Sequence, residues 1–195
     1  MILGLTGSIG GGKSTVREFL VSRQWFGFDA DEYCKEIWRN PTADFLRQVE
    51  NFFGISLYGK NGTLDREKIA DAIFSDPLKM EKWLAVLYPA LENEMRRIAD
   101  HCRAKKVHAV LEVPLLFENS YDKFFDKIMT VWCPAELRAE RLSSQRQLDV
   151  TDIRRREALQ LGDDEKLEKA DIGIINSRGR DFLVMQLEKF LSSIK

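Results

Sequence analysis

The chain has almost no net charge. Its 30 Lys and Arg are balanced by 31 Asp and Glu, for a formal charge of −1. That balance removes the broad electrostatic attraction on which nucleic-acid binding rests, and leaves only a local basic patch for a phosphorylated small molecule. Cysteine is also scarce. Cys34, Cys102 and Cys133 are odd in number, scattered and without CxxC spacing, which argues against a disulfide framework or a zinc site and for a reducing compartment. Cys133 follows an apolar run and reads as a buried thiol. No apolar run reaches the length of a membrane span. The first residues do not read as a secretory signal, because glycines interrupt the apolar run and no basic segment precedes it. The cytoplasm is the expected location, with no membrane and no nucleic acid as partner. There is no repeat, low-complexity tract or flexible linker. A length of 195 residues is enough for one domain with a core and an inserted subdomain.

Against these absences stands a clear alternation of elements. "ILGLT", residues 2–6, is a short apolar run that stops at Gly7. From Lys13 onward Val16, Phe19 and Leu20 recur at helical spacing, so the chain opens as strand, glycine loop and helix. "WFGFDAD" (25–31) reads as a second strand ending in acids. "VHAVLEV" (107–113), "KIMTVWC" (127–133) and "DIGIIN" (171–176) read as further strands. Strands alternating with helices imply an α/β fold around a parallel sheet. Residues 40–103 instead carry helical patterns in "REKIADAIF", "KMEKWLAVLY" and "PALENEMRRIADHC", with the turn-rich "YGKNGTLDR" before them. They read as a helical insertion large enough to cover a ligand. Pro89 falls between two of these patterns, where it can occupy a helix first turn. Leu183, Leu187, Phe190 and Ile194 share one face of a closing helix.

The glycine loop carries the chemistry. Gly7-Ser8-Ile9-Gly10-Gly11-Gly12-Lys13-Ser14 satisfies G-x-x-x-x-G-K-[ST]. A triphosphate needs several backbone N–H groups aimed into one concavity, and side chains would obstruct it. The following helix adds its positive end. Lys13 can reach the β- and γ-phosphates, and the Ser14 hydroxyl can ligate Mg²⁺. Such a loop serves kinases, GTPases and ATPases alike. Asp29-Ala30-Asp31 helps to choose, since a carboxylate at that strand end can accept the proton of an attacking hydroxyl, hold a metal through water, or cap the next helix. Glu112, at the end of the third strand, fits the second acidic element that reaches the magnesium shell. Glu118 reads as surface or as a local partner. The arginine-rich segment 138–160 contains surface charge, but can also close over a transferred phosphoryl group. A GTPase would carry N/T-K-x-D after a strand; the corresponding region reads "NSRGRD". His101 and His108 read as surface or packing residues. So do the tryptophans, although Trp38 and Trp83 can also line an apolar groove.

"GLTGSIGGGKST", "DAD", "NGTLDREKIADAIF", "EVPLLFE" and "ADIGIINSRG" occur in the order and at about the spacing found in dephospho-CoA kinases, which the chain resembles over nearly its whole length. The phosphate loop identifies little by itself; "PLLFE" together with the G-x-L-D-R turn, Gly62 to Arg66, is more specific. The resemblance implies a three-layer P-loop fold with a five-stranded parallel sheet, a helical substrate-binding insertion over 40–103 and an arginine-rich lid over 134–165. It implies ATP-dependent phosphorylation of the ribose 3′-hydroxyl of dephospho-CoA, with Mg²⁺. By position, Gly10, Gly11, Gly12, Lys13, Ser14 and Thr15 would hold the ATP phosphates and Asp31 would be the base. Arg146 and Arg156 would be lid arginines, with Gln160 at the family's spacing, and Asn176 would begin the adenine-side loop. Four positions depart from the usual pattern. Ser8 replaces a common glycine, at a position not expected to need a positive φ. Lys35 replaces an arginine, turning a bidentate grip into a point charge. Tyr88 replaces a histidine, and Glu112 an aspartate. A nucleoside monophosphate kinase or another small-molecule kinase is the alternative expectation.

Overall fold

The computed structural model describes residues 1–54, 56–58, 65, 77–146, 158 and 160–194. The chain divides into two compact units, Met1–Ala30 with Arg97–Lys195, and Asp31–Arg96.

The first unit is built on a five-stranded sheet. Its strands are β1 (Ile2–Thr6), β2 (Phe26–Asp29), β3 (Ala109–Glu112), β4 (Lys127–Trp132) and β5 (Ile172–Ile175). Their order is β2-β3-β1-β4-β5, and every neighbouring pair is parallel. Helices cover such a sheet on both faces, so its inner strands are continuously apolar rather than alternating. All five residues of β1 and all four of β3 are buried, whereas the edge strands β2 and β5 are only partly so. Helices α1 (Lys13–Ser22) and, at the end of the chain, Arg180–Ser193 close one core. Val16 and Leu20 meet Leu183, Leu187 and Phe190 there, over Leu3, Leu5, Val110, Met129 and Val131.

Strand order also decides where a ligand belongs. The chain leaving β1 runs toward β2, on one side, and the chain leaving β4 runs toward β5, on the other. Adjacent strands whose connections diverge open a crevice at their carboxyl ends. The glycine loop leaves β1 at that crevice.

The second unit is helical where it is described. Helix α2 (Ala30–Arg39) follows β2 directly, and α3 (Ala43–Phe53) starts with Thr42, whose hydroxyl accepts from the Phe45 N–H at 3.2 Å. Gly54 ends α3 in the left-handed conformation, φ 65°, as a C-terminal glycine commonly does. Helix α4 runs unbroken from Pro77 to Lys105. Contrary to the boundary that the sequence pattern suggests at Pro89, this proline lies inside α4. Proline removes one ladder hydrogen bond and crowds the preceding turn. Buried residues at helical spacing on both sides of it, Trp83, Val86, Leu87 and then Leu91, Met95, Ile98 and Cys102, offset that loss. Trp38 and Trp83 pack edge to face at 5.5 Å, and Phe45 meets Trp83 in the same way at 5.5 Å. They form the small core of this unit with Val49, Leu57, Val86 and Leu87. "REKIADAIF" and most of "YGKNGTLDR" lie outside the described residues.

Among the described residues the first unit also has α5 (Ala135–Arg146) after β4 and the short α6 (Asp163–Lys169) before β5; the closing helix is α7 (Arg180–Ser193). Among described helices, none is long and apolar enough to cross a membrane.

Candidate active site

The glycine loop has the backbone that its sequence demands. Gly7, Gly10 and Gly12 have φ of 135°, 75° and 97°, a region that only glycine visits freely. Close approach matters as much as dihedral freedom. A Cβ on Gly7 would sit 2.4 Å from the Val131 carbonyl oxygen of β4, and one on Gly12 would sit 2.1 Å from the Asn176 Nδ2. Ser8 is not among the residues with positive φ, so its side chain costs the loop nothing in backbone strain. Gly11 N–H donates to the Ser8 carbonyl at 3.1 Å, closing the turn. Gly12 caps α1, which begins at Lys13 and carries Ser14 and Thr15 in its first turn.

Lys13 is buried, at 7% exposure, yet its ammonium is held by polar groups. Nζ donates to the Gly7 carbonyl at 2.8 Å and the Ser8 carbonyl at 3.1 Å. A buried cation is tolerable only when hydrogen-bonded in this way. Asn176, at the end of β5, supports the loop from the other side. Its Nδ2 donates to the Gly11 carbonyl at 2.8 Å, its backbone N–H donates to the Trp132 carbonyl, and its own carbonyl accepts from Arg141. The Ser8 hydroxyl donates to Asp163 on α6, whose other oxygen accepts from Arg138 of α5 at 2.6 Å. Arg138 also donates to the Cys133 carbonyl at 2.7 Å. Cys133 is buried, and burial raises its thiol pKa.

Two acids end adjacent strands beside this loop. Asp29 of β2 and Glu112 of β3 are direct register partners. Arg17, one turn beyond Ser14 on α1, binds both: its Nε donates to Glu112 at 2.9 Å and its Nη2 to Asp29 at 3.2 Å. Burial pushes the Glu112 carboxyl above the usual carboxylate value, opposed by the Arg17 hydrogen bond and the Lys13 charge, and aided by Asp29. Asp31 lies two residues past Asp29, exposed in the first turn of α2. Lys35 pairs with Glu32 on the same helix at 3.2 Å.

Glu118 proves to be a local partner rather than surface. It accepts from the Leu161 N–H at 2.8 Å and pairs with Lys166 at 3.1 Å. Lys166 is fully buried and was missed by sequence reasoning, since a lysine in "DDEKLEK" reads as a solvated helix face. Arg17 was missed for the same reason. Arg146 is the last residue of α5, and Arg156 lies outside the described residues.

Oxygen donors near the loop, the Ser14 hydroxyl and the Glu112 carboxylate, suit Mg²⁺, which takes few protein oxygens and fills its shell with phosphates and water. Among the described residues no group of three or more His, Cys, Asp or Glu forms a dedicated metal cage.

Comparison with known proteins gives the family and the fold. Residues 1–181 fit the family profile described as CoaE, dephospho-CoA kinase. A dephospho-CoA kinase of Fusobacterium nucleatum is 31% identical over 194 residues, covering 100% of this chain and 98% of the relative. That of Deinococcus radiodurans is 35% identical over 194 residues, covering 99% and 92%. Among solved structures, TT1252 of Thermus thermophilus superposes with a TM-score of 0.79 at 28% identity, over 100% of this chain and 98% of that one. A shikimate kinase of Acinetobacter baumannii shares the fold, with a TM-score of 0.53 at 15% identity over 98% and 93% of the two chains.

Proposed function

The chain belongs to the dephospho-CoA kinase family, the ATP-dependent kinases of the last step of coenzyme A synthesis, and from that premise we propose how its residues share the work. The phosphate loop cradles the β- and γ-phosphates of ATP with the N–H groups of Gly10 to Thr15, at the positive end of α1. One observation carries this reading: three glycines at positive φ, two of them in positions where a Cβ would collide with fixed polar atoms, followed by a buried lysine.

Dephospho-CoA supplies the acceptor, its ribose 3′-hydroxyl. Asp31 orients that hydroxyl and takes its proton on a carboxylate oxygen. Its support is its place in the chain, two residues beyond Asp29 at the carboxyl end of β2, on an exposed first helical turn. Transfer passes through a loose transition state, so positioning and charge neutralisation do most of the work. Lys13 supplies one positive charge, and Arg146 and Arg156 supply others from the arginine-rich segment. Ser14 and Glu112 are the residues to hold Mg²⁺, which when bound neutralises phosphate charge. The side-chain amide of Asn176 is committed to the Gly11 carbonyl, so we give it the task of fixing the loop, with adenine met by the segment it begins.

Asp31→Asn tests the central assignment. Turnover with dephospho-CoA is expected to fall by about 10²- to 10⁴-fold, the usual weight of a general base, with ATP affinity nearly unchanged. Undiminished turnover removes Asp31 from the role of base.

A further inference from the structure

We propose that Arg17 is a positioning residue whose single guanidinium aligns Glu112 and the strand end leading to Asp31, and which keeps that acid pair from capturing a divalent cation before nucleotide arrives. This deepens the reading of the site given above and rests on it.

Asp29 and Glu112 are register partners on neighbouring strands, which sets their backbones about 5 Å apart and brings two side chains of like charge next to each other. Such a pair either repels, takes up a proton, or binds a cation. Arg17 occupies it with the two arms of a planar fork, Nε to Glu112 and Nη2 to Asp29, a geometry that a lysine cannot reproduce. Ser14 and Arg17 share a face of α1 three residues apart. One residue therefore joins the helix that starts at the phosphate loop, the acid assigned to the metal, and the strand whose next turn carries Asp31. Its charge, with that of Lys13, offsets the pair. A hard cation arriving alone meets occupied carboxylates, whereas one arriving with ATP brings its own anionic ligands.

The test uses the full chain with Arg17→Met and Arg17→Lys, and Mn²⁺ as a paramagnetic probe. With no nucleotide present, Arg17→Met is expected to bind Mn²⁺ about tenfold more tightly than the parent, while its kcat falls by about tenfold or more, the scale of supporting residues at metal sites. KM for ATP should change less than kcat. Arg17→Lys keeps the charge and should still exclude Mn²⁺, but should recover only part of kcat. A melting curve confirms that each variant is folded. Should Arg17→Met fail to fold, Arg17→Lys decides, since full kcat in that variant overturns the positioning role. Unchanged Mn²⁺ affinity in folded Arg17→Met overturns the proposal. The Mn²⁺ readout requires no acceptor, so it stands apart from any failure of the acceptor assignment.

Discussion

Gly12→Ala tests the loop at its tightest point. Gly12 has φ 97° and ψ 24°, and forcing alanine into left-handed backbone costs about 1–2 kcal/mol. The new methyl would also lie 2.1 Å from the Asn176 Nδ2, well inside contact distance. Asn176 must then move, and its 2.8 Å hydrogen bond to the Gly11 carbonyl breaks. That carbonyl is buried, and an orphaned buried acceptor costs about 1–3 kcal/mol. The expected loss is thus about 2–5 kcal/mol in a urea titration, the sum of the two effects. ATP affinity, measured by calorimetry, should fall as well, because the disturbed amides are those proposed to hold the phosphates. Asn176→Ala removes both the collision and the hydrogen bond, so the double variant should be less destabilised than the sum of the two singles. A Gly12→Ala protein within about 0.5 kcal/mol of the parent, the ordinary range of a surface change, that also binds ATP normally would refute the reasoning.

Breaking the Glu118–Lys166 pair from one side should be costly: Lys166→Met removes a fully buried cation and leaves the part-buried Glu118 carboxylate without it, though still accepting from the Leu161 N–H, and is expected to cost about 2–3 kcal/mol, whereas Lys166→Met with Glu118→Leu should recover much of it, as read from denaturant midpoints. At the far end of the sheet, the Lys127 hydrogen bond and then the Ile128 N–H hold the Asp171 carboxyl below its usual value. Stability from that group is present above the unfolded carboxylate value and is lost as pH falls through the lower folded one. Asp171→Asn should therefore be less stable than the parent near pH 7, by at most about 1 kcal/mol at this exposed pair, and the two stability curves should converge toward acid pH. Curves that diverge toward acid pH would contradict this assignment.

The five strands and the phosphate loop were legible in the sequence because their signals are local. "ILGLT" before a glycine run and a helical period after it need no distant partner to be read. Ser8 was also read correctly, as a position that does not need a positive φ. Other features are written in contacts between distant segments. Pro89 looks like a boundary because its cost is local, while the burial that outweighs it is spread along α4 from Trp83 to Cys102. Lys166 and Arg17 each sit in charged helical sequence, and only the fold shows that one is fully buried against Glu118 and the other bridges two strand ends. Trp38 and Trp83 could have lined a groove, yet their edge-to-face contact makes them core of the helical unit. Asn176 was legible only through resemblance, and its grip on the Gly11 carbonyl emerges 165 residues away in the chain.

The most direct measurement is the identity of the phosphorylated product. The protein is incubated with ATP and Mg²⁺ and offered, in parallel, dephospho-CoA, a nucleoside monophosphate and shikimate, and products are resolved by mass with the phosphate located by fragmentation. This account predicts ADP and coenzyme A, with the new phosphate on the ribose 3′-oxygen and little transfer to the other acceptors. Preferred phosphorylation of the nucleotide or of shikimate, or ADP released with no phosphorylated acceptor at all, would contradict it.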